Sequence, residues 1–166
     1  VVLLTGGIFA YKSYVSAQMY AENYIKALYC IKTGADANLK KGMSNKAQWE
    51  SAIAAGRSFS PVSNTVEETK AVKLRTEVEK YMQLINEPSS KFTKAHSNLK
   101  EFYKVYVDTE TLPQSKPGSV LELSRLIDNL NKKMSQTSQD LKSSLPESLK
   151  QELEKARLKY RGMNDF

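Results

Sequence analysis

The chain has 166 residues, of which 40% are hydrophobic and 26% charged, as in an ordinary folded domain and unlike a disordered chain. Its 25 lysine and arginine residues outnumber 18 acidic residues, so that the net charge is +7. The basic residues are mostly lysine and are spread along nearly every segment, whereas a nucleic-acid interface concentrates lysine and arginine on one face. We therefore expect no nucleic acid partner.

The opening segment, Val1–Ala10, carries no charge, and its apolar residues would lie on every side of a helix. A helix of that kind is buried in protein or in lipid. A membrane span needs about 20 apolar residues, and about half of that number precede Lys12. We therefore expect residues 1–10 to be the end of a membrane anchor and residues 11–166 to form a single helical bundle domain.

Two other interpretations of this segment remain open. It could be the end of a secretory signal, with Val15-Ser16-Ala17 as a cleavage site of small residues. It could also be the N-terminal end of a bundle helix that packs against other helices. Lys12 and the nearby tyrosines fit a secretory signal badly.

The first predicted helix continues from this segment to Ala35. Small and aromatic residues recur there at steps of three and four, which places them on one helical face. They are Gly7, Ala10, Tyr14, Ala17, Ala21, Tyr24, Leu28, Ile31 and Ala35. Gly34 and Gly42 are candidate helix ends, so we expect a break over Thr33–Gly42 and then a short helix over Asn45–Gly56.

Two further helices follow a turn-rich connector at residues 57–64. The first begins at Asn64 or Thr65 and ends before Pro88. Its apolar face is Ala71, Leu74, Val78, Tyr81 and Ile85. The second spans Lys91–Thr109 and has an apolar face of Phe92, Ala95, Leu99, Phe102 and Tyr106.

The most regular helical pattern of the chain follows the break at Leu112–Gly118, and Ser119 is its predicted N-cap. Its repeating positions are Val120, Leu123, Ile127, Leu130, Met134, Thr137 and Leu141. Pro146 either kinks this helix or begins a new one. A face of Leu149, Leu153, Ala156 and Tyr160 then leads to a polar end, Gly162–Phe166.

Amphipathic helices joined by short breaks bury their apolar faces by packing together. The sequence therefore predicts an all-α fold, an up-and-down antiparallel bundle of four long helices, of which one or two are broken, with a long N-terminal helix.

The sequence offers little for catalysis or for metal binding. It contains one histidine, His96, and the residue three positions earlier is Thr93 and not the glutamate of a di-iron motif. No phosphate-binding loop and no Gly-x-Ser-x-Gly motif is present. The single cysteine, Cys30, excludes an internal disulfide; we expect it to be buried, with an intermolecular disulfide as the alternative. We predict no catalytic residue, no cofactor and no metal.

Two functions remain. We expect a non-enzymatic, membrane-tethered helical domain that works by protein–protein contact, as an accessory or scaffold subunit or as a homodimer, with its bundle on the extracytoplasmic side. The alternative is an extracytoplasmic ligand-binding or sensor bundle for a small apolar or aromatic molecule. The candidate ligand or contact residues are Tyr24, His96, Phe102, Tyr103 and Tyr106.

Overall fold

A computed structural model describes the backbone of residues 2–61, 65–164 and 166, and the side chains of these residues except 2–15 and 161. This part of the chain is helical and contains no strand. Its helices are α1 (Val2–Ala54), α2 (Thr65–Leu84), α3 (Thr93–Thr109), α4 (Val120–Ser144) and α5 (Glu147–Lys159). The predicted all-α class is confirmed.

Contacts along α1 show that α2 runs in the opposite direction. Lys41 of α1 forms an ion pair of 3.0 Å with Glu67, near the start of α2. Lys26, four turns earlier on α1, lies over the ring of Tyr81, near the end of α2. The two helices are therefore antiparallel.

The next two helices continue the alternation. The Tyr24 hydroxyl reaches the start of α3 at Ala95, and Asn38 reaches its end at Thr109, so α3 is parallel to α1. Helix α4 then returns, because its residue Lys133 lies near Asp108, at the end of α3, and its later residue Asp140 accepts a hydrogen bond from Asn98.

Helix α1 is the centre of the bundle. Each of the other four helices packs on it, and α3 also packs along α4. Consecutive helices α2 and α3 pack on α1 far more than on each other. Helix α5 begins after Pro146, whose extended backbone separates it from α4, and its end returns to α1 at a stacked pair of Tyr160 and Tyr29. The proline therefore begins a fifth helix.

The predicted break over Thr33–Gly42 and the separate helix over Asn45–Gly56 are wrong. Both Gly34 and Gly42 lie inside α1 and are buried. A Cβ built at Gly34 would stand 2.5 Å from Cε2 of Tyr106. At Gly42 it would stand 3.3 Å from Leu112. These glycines let α3 and the following segment approach α1 closely, and they do not end the helix.

The end of α1 uses another glycine. Gly56 has a φ of +66°, a conformation in which a residue with a Cβ is strained. Its backbone N–H donates to the carbonyl of Ile53, and the backbone N–H of Arg57 donates to the carbonyl of Ala52, as in a Schellman motif. Helix α1 therefore ends at Ala54 with a glycine cap.

The predicted faces of α3 and α4 form the core. Their buried positions match the predicted spacing, except that Val120 and Thr137 are only half-buried. Ser119 caps α4 as predicted, because its hydroxyl accepts the backbone N–H of Glu122 at 3.2 Å. On α2 the prediction is less accurate: Val78 is buried but Ala71 is exposed.

The C-terminal segment, expected to be a polar end, contributes two buried side chains. Met163 is fully buried, and Phe166 is nearly so. The Phe166 ring meets Phe102 edge-on at 6.0 Å, and Lys142 lies over its face at 4.9 Å. The apolar side chains of this segment thus belong to the core.

The predicted membrane anchor, residues 1–10, lies outside the part of the chain whose side chains are described. Among the described residues, no helix has a stretch that is both long and apolar enough to cross a membrane.

Candidate functional site

The five candidate residues do not converge on one pocket. Tyr24 is fully buried in α1, and its hydroxyl donates to the carbonyl of Ala95 at 2.9 Å. Burial raises its pKa far above the ordinary range of tyrosine. With its hydrogen bond satisfied and its ring in the core, Tyr24 joins α1 to α3.

His96 is buried on α3, one residue after the carbonyl that Tyr24 holds. Its Nδ1 lies 3.1 Å from the hydroxyl of Tyr20, whose ring stacks on Phe92 at 4.4 Å. Its Nε2 has no hydrogen-bond partner among the described residues. Burial, and secondarily the charge of Lys100, lowers the pKa of His96, so the imidazole is neutral at pH 7.

Tyr20 is the member of this cluster that the sequence prediction misses. It lies one turn before Tyr24 on α1, one position before Ala21 on the predicted face. The spacing of the two tyrosines by four residues is the signal that could have identified it.

Phe102 and Tyr106 are both buried but have different surroundings. Phe102 meets Phe166. Tyr106 lies against Gly34, and its hydroxyl is hydrogen-bonded to the carboxylate of Glu110. Burial, and then this hydrogen bond, raises the pKa of Tyr106 well above the usual range. Both side chains are parts of the packed core.

Tyr103 is the candidate that faces an open surface. Together with Met82 of α2 it lines a groove of about 590 Å³ between α2 and α3, open to solvent, which we call the α2–α3 groove. Its lining residues are Glu79, Met82, Gln83, Asn86, Lys100, Tyr103 and Lys104. Most of the exposed lining is apolar.

Arg75 joins the two helices one turn further along the groove. Its Nε donates to Glu79 at 3.1 Å, and its Nη1 lies 3.5 Å from Glu110 of α3. Glu110 in turn accepts the hydroxyl of Tyr106. The carboxylates at this end of the groove are therefore already paired with a cation.

A second open groove, of about 510 Å³, lies at the end of α1 and is rich in hydroxyl groups. Its lining residues are Ser44, Ala47, Gln48, Ser51, Ala52, Arg57, Ser58, Phe59 and Ser60. Phe59 stacks on Trp49 at 5.6 Å and so holds the connector against the helix. Its described lining residues include no histidine and no carboxylate, so their side chains offer contact and hydrogen bonding.

Other reactive groups are dispersed. Cys30 is buried, as predicted, and burial, with Glu77 nearby, raises the pKa of its thiol to about 11. The thiolate is the reactive form, so this cysteine is unreactive near neutral pH. Among the described residues, no cluster of three histidine, cysteine or acidic side chains could hold a metal ion.

Comparison with protein-family models, with curated proteins and with solved structures finds no match to this chain.

Proposed function

We propose that the protein is a non-enzymatic helical domain that works by contact with another protein, as an accessory or scaffold subunit. The observation that carries this proposal is the surface of α2. Val72 and Leu84 are 65% and 56% exposed, and Met82 lies in the apolar α2–α3 groove. Exposed apolar side chains on a helix that also forms one wall of an apolar groove are typical of a protein-binding helix.

The packing of the core favours a function in protein–protein contact over the binding of a small apolar ligand. The hydroxyl of Tyr24 is bonded to a backbone carbonyl, and that of Tyr106 to Glu110. Their rings are buried against other side chains. A ligand pocket between these helices would require its polar groups to be available, as in a largely pre-formed site. Here both tyrosine hydroxyls already have partners within the protein, and among the described residues only Nε2 of His96 is left without one in this cluster.

The membrane tether and the extracytoplasmic position of the bundle belong to the same proposal. The tether rests on the uncharged sequence of Val1–Ala10. Fractionation of cells that make the natural full-length protein tests the tether, and protease protection then tests the side on which the bundle lies. Recovery in the soluble fraction would refute the tether.

Photo-crosslinking in the source cells tests the contact function. We would place p-benzoylphenylalanine at Val72, Met82 or Leu84 of α2, and at Leu158 of α5 as the control, because Leu158 is 94% exposed. We expect one discrete adduct, identified by mass spectrometry, from the α2 positions and not from Leu158. If no α2 position forms a discrete adduct, the contact function is wrong.

A further inference from the structure

We propose that the α2–α3 groove binds an acidic amphipathic helix of a partner protein. This inference rests on the contact function proposed above and specifies the surface and the chemistry of the partner. It is argued from three features of the described residues: the separation of the two helices, the apolar lining and the distribution of charge.

The groove exists because α2 and α3 each pack on α1 while making few contacts with each other. Met82 on one side and Tyr103 on the other are both half-buried and leave apolar surface open between two antiparallel helices. A helix laid between two helices can bury a row of side chains spaced by three and four residues. The shape therefore fits a helical partner with apolar anchors.

The carboxylate among the lining residues of the groove is that of Glu79. Its Oε1 lies 3.1 Å from Nε of Arg75, one turn earlier on α2. This pair is exposed, as is that of Lys104 with Glu101, so neither fixes the charge of the groove by itself. The charge of the groove follows from its lining residues, in which the two lysines Lys100 and Lys104 outnumber Glu79.

The lysines that line the groove, Lys100 and Lys104, can form ion pairs with a partner protein. Lys100 has no carboxylate within ion-pair distance among the described residues. Within the described part of the chain, the ion pair of Lys104 is with Glu101, three residues earlier on the exposed surface of the same helix. An exposed pair of this kind contributes little to stability, so the Lys104 ammonium group can turn to a carboxylate of a partner. Acidic residues beside the apolar anchors of a partner would complement both lysines.

The net charge of the whole chain also favours an acidic partner. Its net charge of +7 repels a second copy and attracts an acidic protein. Complementary charge accelerates association and selects the partner, while the apolar anchors hold the complex. We therefore infer a partner helix with apolar residues on one face and aspartate or glutamate at its borders, bound more weakly as salt is raised.

The test uses the full chain and two labelled synthetic helices of about 18 residues, or five turns. Both carry leucine at positions spaced by three and four; one has glutamate beside the leucines and the other has lysine at the same positions. Fluorescence anisotropy measures binding. We expect the acidic helix to bind at least about tenfold more tightly than the basic helix, and the difference to shrink in high salt.

Variants locate the site. We expect the double substitution Lys100→Glu with Lys104→Glu to weaken binding of the acidic helix by about tenfold or more. The matched control is Lys132→Glu with Lys150→Glu, which changes the net charge equally at exposed positions of α4 and α5. Met82→Gln should weaken the binding of both synthetic helices, because it removes an apolar contact. Circular dichroism checks that every variant is folded.

Three results would overturn the inference: failure of the acidic helix to bind, equal binding of the two helices, or an equal loss in the control double variant. If any of these occurs while crosslinks at Val72 and Leu84 persist in cells, the groove assignment is wrong and the contact function stands. If the α2 positions form no crosslinks in cells, the contact function and this inference both fail.

Discussion

The ring of Tyr106 lies so close to Gly34 that a Cβ on the glycine would stand 2.5 Å from Cε2 of the ring. Real Cβ atoms essentially never approach another atom so closely. Tyr106 cannot readily withdraw, because it is buried and its hydroxyl is bonded to Glu110. The packing of α3 on α1 therefore depends on the absence of a side chain at this position.

The substitution Gly34→Ala should destabilise the protein. Alanine gains about 1 kcal/mol over glycine inside a helix, but an overpacked core costs about 1–3 kcal/mol. We expect a net loss of about 1 kcal/mol and a lower midpoint of thermal unfolding. The control is Gly162→Ala, where the nearest atom, on Tyr29, is 3.9 Å from the added Cβ. A raised midpoint for Gly34→Ala would contradict the close contact.

The bundle should lose stability in mild acid through His96. Its pKa in the folded protein lies below the 6.5 of an exposed histidine, so the unfolded chain binds the proton more readily. The free energy of unfolding should therefore be fully retained above about pH 6.5 and fall as the pH drops through that value towards the folded pKa.

Urea unfolding at about pH 7 and at about pH 5.5 measures this loss of stability. Both pH values lie above the pKa of most carboxyl groups, so that few carboxylates titrate between them. Because His96 is the one histidine in the chain, His96→Gln should flatten the dependence over this interval. A wild-type protein equally stable at both pH values, or a variant that keeps the full slope, would show that the imidazole is not held neutral by burial.

Substitution of Ile127 or Leu130 with alanine should cost about 2–5 kcal/mol in the free energy of unfolding, the usual cost for a buried aliphatic side chain. Both residues are almost wholly buried on the inner face of α4. Chemical denaturation measures the loss, and Leu158→Ala on exposed α5 surface should cost less than about 0.5 kcal/mol. A loss near zero at both α4 positions would show that this face is not the core.

Deletion of Val1–Phe9 should leave the midpoint of thermal unfolding nearly unchanged. The first described core residue of α1 is Ala21, twelve positions beyond the deleted segment. Differential scanning calorimetry in detergent-free buffer compares the two chains. A fall of about 3 °C or more, the effect of about 1 kcal/mol in a domain of this size, would mean that the segment packs in the bundle.

Local pattern was sufficient to predict the buried faces of α3 and α4, because each has one apolar face and a polar surface. It failed at Gly34 and Gly42 for a physical reason. A glycine followed by polar residues is typical of a helix end, but here its small size serves a contact with Tyr106 or Leu112. That contact is made by residues distant in the chain, and no local pattern records it.

The site was predicted less well than the fold. Periodicity correctly placed Tyr24 and Tyr106 on inward faces but could not show that each hydroxyl already had a partner. Tyr103 borders the α2–α3 groove, because α2 and α3 stand apart at that point. The separation of two helices depends on how both pack on a third, which is a property of tertiary structure.

The central position of α1 has a consequence for the order of folding. The segments that cover this helix are synthesised after it: Ala95, for example, follows its partner Tyr24 by 71 residues. The Tyr160 ring that stacks on Tyr29 is made later still. Closing such long loops is entropically costly and slow. The nascent chain must therefore keep the apolar face of α1 from aggregating until α5 has been synthesised.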